Sequence, residues 1–149
     1  MDQTMKTPMH RWIVGGLSLV WNAFGGYDYW MTRTRNTDYL KEMLPGSDPN
    51  ALLAYIDSFP IWAQIGWGLG VWGAILGSIL LLMRSRWAVL SFGLSLLGAV
   101  LSLGYQLLGP PAPAAMTEGM AAAFPYVIIA IAVALYYYAH RQRAKGVLR

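Results

Sequence analysis

The chain alternates long uncharged apolar runs with short charged segments. Residues 59–83 are 25 positions without a charge, residues 87–108 are 22 and residues 120–139 are 20. At about 1.5 Å of rise per residue, a helix of each length crosses a hydrocarbon core of about 30 Å. A first run is less clean: residues 12–27 hold 16 uncharged positions, and reaching Met31 takes in Asp28. Arg11 and Arg33 bracket it and aromatic rings stand at both rims, so it is read as a span as well. No small-x-small site precedes Asp28, only Asn22-Ala23-Phe24-Gly25-Gly26, so a cleaved leader is not expected. The pattern predicts an all-α integral membrane protein, a four-helix bundle running up-down-up-down, in one domain over 1–149. The expected spans are about 11–31, 59–83, 87–108 and 120–140, with an outer loop at 32–58.

Composition sharpens the class. Hydrophobic residues make up 56% and charged ones 12%, about half the charged fraction of a soluble domain. With no cysteine, disulfides, thiolate metal sites and cysteine nucleophiles are excluded.

Orientation follows from the basic residues. Of 11 Lys and Arg, eight (Lys6, Arg11, Arg84, Arg86, Arg141, Arg143, Lys145 and Arg149) fall at the termini and the 84–86 turn. Arg33, Arg35 and Lys41 are on the other side. Both termini are therefore expected in the cytoplasm. The net charge of +4 is mostly this bias. It implies contact with the bilayer and with anionic lipid at the cytoplasmic face, and it does not call for nucleic acid. Trp12, Trp87 and Tyr136 to Tyr138 are expected at the inner rim. Tyr27, Tyr29, Trp30, Trp62, Tyr105 and Tyr126 are expected at the outer one.

The loops carry their own signals. The basic turn at 84–86 makes spans two and three antiparallel neighbours. Gly109-Pro110-Pro111-Ala112-Pro113 cannot continue a helix. In the outer loop, Asn36 or Thr37 is a candidate N-cap, Pro45-Gly46 is a break, and Asp48-Pro49 reads as N-cap and N1 of a short helix. Leu52, Leu53, Ile56 and Phe59 share one helical face, expected to lie on the membrane or to cover the outer end of the bundle.

Small residues form stripes. Gly66, Gly70, Gly73 and Gly77 share one face of span two; Ser91, Ser95, Gly98 and Ser102 repeat that spacing in span three. Small residues let helices approach closely in lipid, where packing drives association. The stripe serves packing within the bundle or, alternatively, a seam between two copies of the chain.

Polar groups inside spans carry the functional expectation. Asn22 sits near the middle of span one and Asp28 near its outer end, where a carboxylate is disfavoured by the helix dipole. Gln64, Tyr105 and Gln106 are the expected partners, with Arg33 or Arg35 as compensating charges. Trp21 and Trp67 lie deeper than an interfacial belt requires. Trp21, Asn22, Asp28, Gln64, Trp67 and Gln106 are thus candidates for a polar pocket with aromatic walls, or for a clamp between helices. His10 and His140 map to the cytoplasmic rim as possible neighbours, too shallow for a bis-histidine metal or haem site. No Ser-His-Asp pattern, phosphate loop or His/Glu metal cluster is present, so no enzyme activity, metal or cofactor is expected.

Several separated motifs resemble a small four-span bacterial inner-membrane family. They are Arg11-Trp12-Ile13-Val14-Gly15-Gly16, Trp21-Asn22, Asp28-Tyr29, Met31-Thr32-Arg33-Thr34-Arg35, Phe59-Pro60-x-Trp62, Val71-Trp72-Gly73-x-x-Leu76-Gly77-Ser78, Arg86-Trp87-Ala88-Val89 and Gly146-Val147-Leu148-Arg149. Members often carry the automatic label "sugar transporter". The resemblance implies a multi-pass inner-membrane protein and, through that label, transport. The Ser47-Asp48-Pro49 segment and the prolines after Leu108 depart from the family pattern on the outer surface. Alternating access generally rocks two repeats about a midplane site, and four spans offer little room for that in one copy. The leading expectation is therefore a structural or accessory component of a larger membrane complex. The alternative is a homo-oligomeric transporter or channel for a small polar solute such as a sugar, joined through the span-two glycines.

Overall fold

The computed structural model describes residues 9–46, 48–117 and 120–148. Helix α1 covers Met9–Arg33, α2 Thr37–Met43, α3 Pro49–Asp57, α4 Ile61–Leu82, α5 Trp87–Leu108, α6 Ala114–Thr117 and α7 Met120–Ala144. No strand occurs among the described residues.

Among the described residues three helices, not four, are long and apolar enough by length and composition to cross a membrane: α4, α5, and α7 from Ala122 onward. Helix α1 has 25 residues and so the length. It falls short in apolarity, because Arg11, Asn22 and Asp28 join glycines and amphipathic Trp and Tyr rings along it. The outward faces of the long helices are apolar, with Val20 71% exposed, Ile61 70% and Leu17 67%. A water-soluble domain rarely leaves such continuous apolar surface bare.

Local chemistry explains the breaks. Helices α1, α4 and α7 all end in the same way, with one left-handed residue. Arg35 has φ 61°, Arg84 has φ 59° and Gly146 has φ 80°. In each the next amide reaches back five residues: Asn36 to Met31, Ser85 to Leu80 and Val147 to Gln142. This closure satisfies carbonyls that a helix end otherwise leaves open. The Asn36 side chain accepts from the Tyr39 amide and starts α2. Asp48 accepts from the Asn50 amide with Pro49 at N1, and starts α3. Pro125 sits in the second turn of α7, where few backbone bonds depend on it.

The long helices lie in the order α1–α4–α5–α7, with α4 against α5 as the closest pair. Beside one core of Leu81, Phe92, Leu135 and Ala139, Leu148 folds back and is 4% exposed. The α2–α3 pair caps the opposite end. Tyr39, Leu40, Leu52 and Leu53 bury against one another, with Met116 of α6 packed on them. Phe59 joins Tyr55 and Ala63, again beside Met116 and Tyr105. The apolar face of α3 therefore covers the end of the helix assembly.

Helices α1 and α7 touch through side chains. His10 Nδ1 lies 2.5 Å from the Tyr138 hydroxyl, and the Trp21 and Phe124 rings lie 6.1 Å apart. His140 does not join His10; it stacks on Tyr136. Only 17% of the most apolar stretch of α7 is buried, against 44% for α5, so α7 is the loosest of the three.

Candidate functional site

The α4–α5 seam holds the small-residue stripes. A methyl group added at Gly98 would touch the Gly66 carbonyl and stand 2.6 Å from the Gly70 amide nitrogen. One at Gly66 would stand 2.9 Å from the Gly98 carbonyl, and one at Gly77 would enter the Phe92 ring at 2.7 Å. Ser91 Oγ donates to the Gly73 carbonyl at 2.7 Å, and Ser95 Oγ to the Gly70 carbonyl at 2.6 Å. Glycine on α4 allows the backbones to approach, and serine on α5 uses that proximity to hydrogen-bond the neighbouring carbonyls. The glycine face of α4 is thus covered by α5 of the same chain. In this packing it presents no free seam to a second copy.

Across the α1–α4 contact, Asn22 Nδ2 donates to the Ala74 carbonyl at 3.1 Å and to Ser78 Oγ at 2.9 Å. Ser18 Oγ lies 3.0 Å from Ser78 Oγ. The carbonyl of Ala74 only accepts, so the nitrogen of the Asn22 amide must face α4. Asn22 is therefore a clamp, and its side-chain partner is the buried Ser78. Ser78 was legible only as one more small residue after Gly77. Ser78→Ala leaves the Asn22 amide one bond short, and an expected cost of about 0.6–2 kcal/mol follows. Detergent unfolding of Ser78→Ala against Ser78→Thr, which keeps the hydroxyl, checks it; equal stabilities for wild type and Ser78→Ala would remove the clamp.

Asp28 is also partnered differently from expectation. Its Oδ1 accepts from the Tyr39 hydroxyl of α2 at 2.7 Å. Arg33 instead donates to Gln64 Oε1 at 3.3 Å and lies over the Trp67 ring. Arg35 pairs with Asp57 at 3.1 Å, with both side chains more than half exposed, a geometry that contributes little. The compensating charges are thus engaged elsewhere, because Arg35 closes α1 and turns away from it. Burial first, then donation to Asp28, pushes the Tyr39 phenol well above its usual range. It stays protonated, and a donor, at every physiological pH.

A cavity of about 220 Å³ lies between the tight α4–α5 pair and the looser α1 and α7. It brings together Trp21, Asn22 and Asp28 from α1 with Trp67 from α4, Ser95 and Ser102 from α5, and Phe124 from α7. Four of the six pocket candidates therefore share one space. Gln64 is held at the edge by Arg33 and by its own bond to the Phe59 carbonyl at 2.9 Å, and Gln106 does not line the cavity. The α7 wall of Phe124, Ile128 and Ile131 was invisible beforehand, since an unbroken apolar run has no marked face. Tyr29 braces the opposite side, its ring 4.6 Å from that of Trp67.

No family model, curated protein or solved structure matches the chain. The functional reading therefore rests on this geometry. Among the described residues, no group of three or more His, Asp or Glu gathers as a metal site.

At the opposite end, Arg11 has a role beyond charge. It is 1% exposed, and its Nη1 donates to the Leu81 and Leu82 carbonyls at 2.7 Å each. A cation on the last carbonyls of α4 satisfies open acceptors and opposes the negative end of the helix dipole. Arg84 ties the same end to the C-terminal segment through the Val147 carbonyl at 3.1 Å.

Proposed function

We propose that the protein is a non-enzymatic, four-span protein of the bacterial inner membrane, acting as a structural or accessory component of a larger membrane assembly. Helix α1 is the fourth span in this reading, with Arg11, Ser18 and Asn22 turned to α4 and Asp28 to α2. Both termini face the cytoplasm, where the basic residues meet anionic lipid headgroups, and the α2–α3 cap faces outward. The observation that carries the reading is the use of the intramembrane polar groups. Ser18, Asn22, Ser78, Ser91 and Ser95 all spend donors on neighbouring side chains or carbonyls, as scaffold residues do. The exposed apolar faces of α1 and α7 remain for lipid or for a partner. The small bacterial family named above fits the same location.

A second reading, transport of a small solute, is favoured by the cavity that reaches Asp28. The two separate in native mass spectrometry of the tagged protein, gently extracted from its own membrane. The accessory reading expects a stoichiometric foreign protein mass. A homo-oligomer alone would overturn it. Flux into liposomes that depends on Asp28, lost in Asp28→Asn while the fold survives, would establish the transport reading instead.

A further inference from the structure

We infer that the cavity between α1 and α7 is a binding site for a lipophilic organic cation, an ammonium group carried on a small aromatic or aliphatic body. The polar groups of the cavity differ in what they can still accept and give. Asp28 spends one carboxylate oxygen on Tyr39, and among the described residues no lysine or arginine forms an ion pair with it. Asn22 uses its nitrogen on α4, which leaves its carbonyl oxygen for the space it lines. Ser95 has already given its proton to Gly70. The Asn22 carbonyl and Ser95 are acceptors, Trp21, Trp67 and Ser102 bring donors, and Asp28 is the one ionisable side chain of the lining. The one charge this lining can carry is negative, which favours a ligand that carries positive charge.

The walls favour the same ligand. Trp21, Trp67 and Phe124 present aromatic rings, and the rest of the lining is largely aliphatic. A sugar needs donors and acceptors around its whole rim, and unpaired hydroxyls are costly in such surroundings. A cation with an apolar body needs one carboxylate and some π faces, since ring quadrupoles attract positive charge. An engineered apolar cavity of about 150 Å³ holds benzene, so 220 Å³ suits one ring with a small ammonium head.

Access points the same way. Trp21 is 36% exposed, Phe24 48% and Phe124 47%, and all three line the cavity. Its mouth therefore opens through the loose α1–α7 side. In a bilayer, that side meets acyl chains, which concentrate amphiphilic cations and exclude sugars. The site does not require transport, and it is equally compatible with an accessory role.

The test uses the full chain in lipid nanodiscs, with empty nanodiscs subtracted for partitioning. Benzyltrimethylammonium is titrated by calorimetry, alongside neopentylbenzene, its neutral carbon isostere, and glucose. The cation is expected to bind, and the neutral isostere and glucose are not. Asp28→Asn is expected to weaken the cation about tenfold or more, the loss of one charge-assisted contact. Ala132→Phe, on the α7 wall, is expected to abolish binding by filling the space, and provides an independent reading should Asp28→Asn unfold. Tyr39→Phe leaves the carboxylate in place and is expected to retain binding. Equal affinity for cation and neutral isostere, or glucose binding alone, would overturn the assignment. So would full binding in Ala132→Phe, or loss in Tyr39→Phe as deep as in Asp28→Asn, which would make Asp28 a brace for the cap.

Discussion

Gly98→Ala is expected to lower the stability of the protein by about 3 kcal/mol, the upper range for forcing extra volume into a packed core. The added methyl meets the Gly66 carbonyl and the Gly70 amide, the latter at 2.6 Å. These are backbone atoms of α4, so no side chain can turn aside to make room. The two helices must separate, and the Ser95 bond to the Gly70 carbonyl stretches with them. Gly104→Ala supplies the comparison within α5. Nothing lies within 4 Å of its added methyl, and removing a flexible glycine from a helix interior stabilises by about 0.5–1 kcal/mol. One substitution type in one helix is thus expected to act with opposite signs. Equilibrium unfolding in mixed micelles measures both, and similar midpoints for the two variants would refute the α4–α5 seam.

Arg11→Met carries the second large effect. It leaves the carbonyls of Leu81 and Leu82 without their shared donor in a buried setting, for an expected loss of about 2–4 kcal/mol. It also removes one of the basic residues whose distribution is expected to orient the chain. Arg11→Lys separates these contributions, because it keeps the charge and gives up the planar fork. The lysine variant is expected to insert normally and to unfold between methionine and wild type. Unfolding midpoints together with accessibility labelling of an N-terminal tag read the two effects apart. Wild-type stability in Arg11→Met would show that the α4 end needs no cap.

Much of the architecture was legible because membrane helices obey local rules. The uncharged runs delimit α4 as Ile61–Leu82 and α5 as Trp87–Leu108, within two residues of the apolar stretches. Asn36 and Asp48-Pro49 announce α2 and α3 through side chains that reach only two or three residues along the chain. The apolar face of α3 needed nothing beyond helical periodicity. The count of spans was harder. Asn22 and Asp28 make α1 too polar to qualify by composition, and only packing against α4 for Asn22 and against α2 for Asp28 gives those groups a place.

The candidate site was legible by residue type and not by pairing. Trp21, Asn22, Asp28 and Trp67 stand out because polar and ring residues are unusual within apolar runs. Their partners do not: Ser78 resembles any small packing residue, and Tyr39 lies on a separate helix. Pairing depends on how one helix rotates against the next, and spacing along a single helix carries no information about that rotation.

The sequence by itself determined an all-α chain with apolar helices of membrane-spanning length, their ends, their small faces and the uneven distribution of basic residues. Each follows from interactions between near neighbours or from the length of an apolar run against the thickness of a bilayer. Only the tertiary structure decided that the α4 glycines face α5 of the same chain, that Arg11 closes the end of α4, and that a cavity remains beside α1 and α7. Those outcomes depend on distances between residues some 30 to 70 positions apart (Gly66 with Gly98, Arg11 with Leu81). Close packing sets such distances across the whole assembly, and no local segment specifies them.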